Sequence, residues 1–337
     1  MKATQKIEVL LPVLSSLPFE LEFNENILDV IKELVSTTYM FPLEAEQLNT
    51  HPVRVKFRLL DKDDPRINSL NTIGRRQYYI LVYTELEIID QPIEGIVDWN
   101  IPSIEFWTEI TVNHFIKRLY DFILCINIAR VGTFEVAQGI AYINNQFYKK
   151  TNMMISNFRD VSLFTQKTKW PPLDNMEIKV VWDWIIDKNG FLDGVGGTAI
   201  ERALTALTYL FGSSGESIEG IDLFFTMIAL EALYCSSNNG IKEQLIEKSQ
   251  VFLGIQNEYK KLFKSMYDYR SKFIHGGLNF PGKYHYFDGD ADYEKFSKES
   301  YDVTLMAQSV LIATLQQLSK RNMNELTFRY SLVGKNF

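Results

Sequence analysis

At 337 residues, 46% hydrophobic and 23% charged, the chain is long enough for two folded domains and has no polar low-complexity tract. A net charge of −7 argues against indiscriminate coating of nucleic acid, and the longest uncharged apolar run, 122–129, is too short to span a bilayer. Cys125 and Cys235 stand far apart in apolar helical surroundings, which reads as two buried thiols in a cytoplasmic protein.

At the N-terminus, Lys2 and Lys6 precede an apolar run that imitates a signal peptide. Glu8 and Pro12 interrupt it, and no small-residue cleavage site follows, so 6–14 is predicted to be a first strand. A short helix is expected over 27–37. Strands are expected over 53–60 and 78–89, where β-branched and aromatic residues partly alternate with polar ones. Pro102 suits a first helical turn, and Ile104, Trp107, Ile110, Phe115, Leu119, Phe122 and Ile123 then predict one long amphipathic helix over 103–130. Strands over 137–147 and 154–164 complete an α+β unit ending near Lys169.

Trp170-Pro171-Pro172 forbids helix and favours extended backbone, which puts a domain boundary there. Asp174 is positioned to cap a helix running to about 186. Helices follow over 198–211, 218–234, 241–253, 256–274 and 298–318, with Gly212, Gly240, Gly254 and Gly276 at or beyond their ends. The predicted organisation is therefore an α+β domain over 1–170, an all-α helical bundle over 171–325 and a tail over 326–337.

The helix over 256–274 carries the most unusual residues. Tyr259, Leu262, Phe263, Met266, Phe273 and Ile274 repeat as a buried stripe, and Arg270 falls on it. A guanidinium there needs a partner, because desolvating an unpaired charge costs several kcal/mol. Glu231 of a neighbouring helix and a bound phosphate are the two candidates. His275 closes the helix ahead of Gly276-Gly277, where the helix C-terminus favours its protonated form. Five residues of ideal helix put Arg270 and His275 about 140° apart in azimuth, so one helix does not aim both at one point.

Between Lys242 and Lys283 eight basic residues face four acidic ones, a positive segment in a negative chain. Lys242, Lys248, Lys264 and Lys272 are its candidate RNA contacts, a solvated helix face being the other reading of the same charges. Tyr284, in the loop after His275, is a candidate for stacking on an unpaired base or for tucking that loop onto the bundle. The glycines at 194–197 lack the Gly-Lys-Ser/Thr ending of a phosphate loop, and His51, His114 and His285 share no ligand spacing. No metal or cofactor is expected.

The run Tyr267-Asp268-Tyr269-Arg270-Ser271-Lys272-Phe273-Ile274-His275-Gly276 resembles the signature of HEPN domains, in particular the Apea-like group. Trp182-Asp183-Trp184, Ile200-Glu201-Arg202-Ala203-Leu204, Ala229-Leu230-Glu231-Ala232-Leu233 and the helix over 241–254 resemble that family's preceding helices, so the likeness covers about 172–322. It implies a metal-independent ribonuclease working as a homodimer through its helical domain. His275 would serve as general base or acid at the ribose 2′-hydroxyl, Arg270 would hold the scissile phosphate, and Ser271 and Glu231 would support them. Lys248 departs from the arginine that related sequences often carry in the third helix. Fusions of this kind resemble toxins and anti-phage effectors, held in check by a cognate inhibitor or restrained until a trigger acts on the other domain. Other HEPN domains are catalytically silent modules that bind RNA, nucleotide or a protein partner, and that alternative stays open.

Overall fold

The computed structural model describes residues 2–14, 21–43, 52–70, 77–89, 103–151, 158–210, 219–237, 239–278 and 291–329. An N-terminal antiparallel sheet region is followed by a mostly helical C-terminal part. The chain forms two compact units, residues 1–159 with 175–187 and residues 160–174 with 188–337. The exchange differs from a single cut at 170: the helix before Trp170 groups with the second unit and the helix after it with the first.

The first unit is built on β1 (Lys2–Leu14), in which every residue from Ile7 to Val13 is buried. A strand covered on both faces reads as a near-continuous apolar run, and this one lies inside the sheet. It pairs along its whole length with β4 (Gln77–Ile89), from Lys2 opposite Ile89 to Leu14 opposite Gln77. Its other edge takes β6 (Ile140–Ile143) at Ile7–Leu10 and β5 (Glu135–Val136) at Val13 and Leu14. Pro12, which has no N–H to donate, falls in the gap between those two pairings. Outward lie β3 (Val53–Leu59) and β2 (Tyr39–Phe41) beyond β4, and β7 (Gln146–Lys150) beyond β6.

One sheet face, carrying Val9, Val82 and Phe57, is covered by helices. The sequence predicts their stripes: Ile27, Val30, Ile31 and Leu34 are buried on α1 (Leu21–Ser36), and Phe115, Leu119, Phe122 and Ile126 on α2 (Ser103–Ala129). The ring of Phe122 meets Tyr39, Phe57 and Trp182 at centroid distances of 4.7, 5.3 and 5.1 Å. Trp182 belongs to α4 (Ile178–Ile186), and its Nε1 donates to Met40 O at 2.9 Å. The start of α4 is held by Glu33, which accepts from Ile178 N–H at 2.5 Å and from Arg130 at 3.1 Å. On the opposite face Leu10, Leu81, Ile140 and Tyr142 make a smaller core with Leu60 and Ile67, the latter from a 3-10 turn, Pro65–Ser69.

In the second unit α10 (Ala291–Lys320) runs through the bundle with Val303, Ala307, Val310, Leu311, Leu315 and Leu318 buried. Against it pack α7 (Glu219–Tyr234), α8 (Ile241–Leu253) and α9 (Lys260–Ile274); α6 (Ala199–Thr208) lies on α7 and α5 (Asn189–Leu192) on α6, and the unit also holds α3 (Arg159–Thr168). The turn at 194–197 is a loop, as expected. An added Cβ on Gly196 would stand 2.7 Å from the Glu201 carbonyl carbon, and one on Gly190 would stand 2.7 Å from the Glu201 carboxylate. Glycine lets the backbone close over that side chain.

Four expectations need correction. The single strand expected over 137–147 is a hairpin, β6 and β7 paired antiparallel across a turn at Asn144 and Asn145, both at positive φ. Residues 159–164 are helical and not part of a strand, because Val161, Phe164, Thr165 and Thr168 line one buried helical face; 152–157 lie outside the described residues. Asp174 caps no helix: Glu177 is the N-cap of α4. Asp174 grips α10 instead. Its N–H donates to Gln316 Oε1 at 2.9 Å, its carbonyl accepts from Gln316 Nε2 at 2.9 Å, and its carboxylate takes Lys320 at 2.7 Å. The last helix begins at Ala291, seven residues before the expected Lys298. No described helix is long and apolar enough to cross a membrane.

Candidate functional site

The candidate site lies where α9 packs against α7. Gln256 Oε1 accepts from the N–H groups of Glu258 and Tyr259 at 2.7 and 2.9 Å, which satisfies donors at the head of α9 and delays the helix to Lys260. Phe263, Met266 and Tyr269 form its buried stripe, with the Phe263 ring 5.0 Å from Trp170. Arg270 lies beside that stripe with its side chain 19% exposed.

Its partner is the one anticipated. Arg270 Nη2 stands 3.5 Å from Glu231 Oε1, at the long end for an ion pair. Neither Glu231 Oε1 nor Arg270 Nε makes a hydrogen bond among the described residues, and both atoms are buried. Burial raises the Glu231 carboxyl above its ordinary pKa, and the Arg270 charge offsets only part of the rise. The guanidinium is therefore shielded, weakly held and left with a donor to give. Such a group can fork onto a phosphate.

The end of α9 follows glycine chemistry. Gly276 adopts φ 69°, its N–H donates to Phe273 O at 3.4 Å, and Gly277 N–H donates to Lys272 O at 2.8 Å. This is a Schellman closure, which turns the chain off the helix axis. His275 is the C-cap; it is exposed, and its backbone N–H donates to Ser271 O at 3.0 Å. Ser271 is half-buried. Within one chain, then, Arg270 meets Glu231 while His275 faces solvent past the turn.

The expected RNA contacts scatter. Lys264 and Lys272 are exposed and remain available. Lys242 places Nζ 2.6 Å from both carboxylate oxygens of Asp268. Lys248 is a correction: it is 5% exposed and faces into the bundle. Its Nζ donates to Gln244 Oε1 at 2.8 Å and to Ser236 Oγ at 3.3 Å, and lies 5.5 Å from the Phe328 ring centroid. It shares the buried side of α8 with Leu245, Ser249 and Leu253, so it cannot serve as a surface contact. Tyr284 lies outside the described residues, as do His51 and His285.

Two residues beside the C-terminal end of α7 were not among the expected site residues. Cys235, a free thiol, stands four residues after Glu231 at the end of α7; burial and then Glu231 push it up to about 11, with Lys248 pulling the other way. Phe328, from the predicted tail, lays its ring 6.1 Å from Tyr234. The four-residue spacing of Glu231 and Cys235 was the available signal for the first, whereas nothing in the tail marked the second. Among the described residues no three His, Cys, Asp or Glu side chains gather as a metal would need. No family model, no curated protein and no solved structure matches this chain.

Proposed function

We propose that the chain is a metal-independent endoribonuclease of HEPN type, with a composite site in which Arg270 and His275 come from two copies. The observation that carries the reading is the state of Arg270. It is sheltered, held by one long ion pair and left with a buried unused Nε, five residues before an exposed histidine at a glycine-closed helix end. The sequence resemblance supplies the reaction class. His275 takes the proton from a ribose 2′-hydroxyl, the 2′-oxygen attacks phosphorus, and the 5′-oxygen leaves with a proton, giving a 2′,3′-cyclic phosphate. Arg270 neutralises the charge gathering on the phosphoryl oxygens, and Glu231 and Ser271 orient it. A role as toxin or anti-phage effector follows from analogy alone.

Labelled single-stranded RNA incubated in EDTA with wild type, Arg270→Ala and His275→Ala tests the reading. Both variants should lose at least about 100-fold in rate, the scale of a lost general acid or base. Mixing the two inactive variants should restore part of the activity, because a mixed dimer rebuilds one intact pair. Cleavage that survives both substitutions removes the site. RNA binding without cleavage by wild type favours the silent module.

A further inference from the structure

We propose that the outer sheet face of the first unit, along Arg54, Lys56 and Arg58 of β3, binds single-stranded nucleic acid through its phosphates. The inference does not rest on the cleavage reading and concerns different residues.

β3 alternates cleanly: Val53, Val55 and Phe57 are buried under the helices, and Arg54, Lys56 and Arg58 are exposed on the other face. None of the three cations forms an ion pair among the described residues. Two of the acidic groups nearby, Glu8 and Asp64, are engaged by other cations, although Asp64 also lies within electrostatic reach of Arg58. Glu8, 1% exposed in β1, has Lys6 at 2.9 Å and Arg66 at 3.6 Å, and Asp64 accepts from Arg66 Nε and Nη2 at 2.8 and 2.6 Å. Glu85, exposed on the same face, stands opposite Lys6 on one side and, by continuation of the β3–β4 register, level with Arg54 on the other, without an ion pair to either among the described residues. An unpaired cationic strip in a chain of net charge −7 is a local departure that favours a polyanion.

Geometry narrows the class. Alternate strand residues lie roughly 6.6 Å apart along a straight line, so the three charges form an extended ladder that suits a stretched phosphate backbone better than a single compact anion. The register puts Tyr83 opposite Lys56 on the same face, with its ring half-buried. An aromatic beside a cation row is how sequence-tolerant single-strand surfaces hold a base next to its phosphate. Charge complementarity along one open face selects an unpaired strand as the occupant.

The test uses the full chain and two labelled oligonucleotides, oligo(dT) and oligo(U), the second with the His275→Ala protein. Oligo(dT) has no 2′-hydroxyl, so its binding is separable from any cleavage. Arg54→Gln/Lys56→Gln/Arg58→Gln should weaken binding at least about tenfold at low salt. It should also reduce the slope of log affinity against log salt by about 2, the value for three single-strand phosphates. A control of equal charge change on helical surfaces, Lys32→Gln/Lys167→Gln/Lys179→Gln, should leave both quantities near wild type. Weakening of oligo(dT) and oligo(U) alike supports phosphate recognition. The proposal is overturned if wild type binds neither, if the β3 variant binds as wild type does, or if the control loses as much as the β3 variant.

Discussion

Glu201 and Glu231, both in the second unit, are carboxylates largely withdrawn from water, and their surroundings treat them in opposite ways. Glu201 accepts from the N–H groups of Gly190, Gly197 and Thr198 at 2.8, 3.0 and 2.8 Å, and its own N–H donates to Thr198 Oγ1 at 3.3 Å in a capping box. Those bonds, the Thr198 backbone first, hold its pKa below the ordinary range. Glu231 Oε1 accepts no hydrogen bond, meets Arg270 at 3.5 Å, and its carboxyl is raised by burial. Hydrogen bonding to the charged form wins at one position and desolvation at the other. A saturated carboxylate fastens a loop to a helix; the unsaturated pair leaves buried polar atoms without hydrogen bonds among the described residues.

The largest expected effect is at the saturated end. Glu201→Ala should cost about 3 kcal/mol in urea unfolding, since three N–H groups lose their acceptor. Because the folded pKa of Glu201 lies below its unfolded value, that stabilisation is present above the unfolded pKa and lost as pH falls through the folded one. The gap to wild type should therefore close in acid. An unchanged gap would mean that the charge is not what the loop needs.

Arg270→Ala should cost about 2 kcal/mol near pH 8, by leaving the Glu231 carboxylate shielded without its cation. Its pH dependence has the same sign but is set at higher pH, because the Glu231 carboxyl is raised where that of Glu201 is lowered. Without Arg270 the folded pKa of Glu231 rises further, so the penalty is full near pH 8 and shrinks at a lower pH as the carboxyl protonates. Equal penalties at the two pH values would erase the contrast between the two glutamates. Lys248→Ala should cost about 1 kcal/mol by removing the Nζ bonds to Gln244 and Ser236 together with the buried stem, while Lys248→Met should cost less because the stem packing is kept. His275→Ala, at an exposed position, should change stability by less than about 0.5 kcal/mol. A larger loss would point to a structural duty for the imidazole.

The sequence marked elements with strong periods and lost those decided by distant contacts. α8 runs over 241–253 as predicted, and β1, β3 and β4 fall within a few residues of expectation, because alternation and apolar runs are local signals. α3 was misread because its Val161 and Phe164 look strand-like until Thr165 and Thr168 are counted on the same helical face. Asp174 looked like a cap because caps are short-range, whereas its partners Gln316 and Lys320 lie more than 140 residues on. At the site, the half-buried Arg270 and its partner Glu231 were legible from spacing on two helices, whereas Ile274, counted on the buried stripe, is exposed and Tyr269, left off it, is buried. Lys248 was misplaced although its position three residues after Leu245 puts it on the buried side of α8. A charge tally carries no azimuth.

The chain passes between the two units three times, at 159/160, 174/175 and 187/188. Neither unit is therefore a bead that can be clipped from a string. A fragment beginning at Trp170 would forfeit α3 and carry α4 with Val181, Trp182 and Ile185 stripped of the first-unit surface that covers them, a bared apolar stripe prone to aggregation. Any recombination that moved the helical unit as one block would have to carry 160–174 with it and leave 175–187 behind. Such threading ties the two units into a single heritable piece.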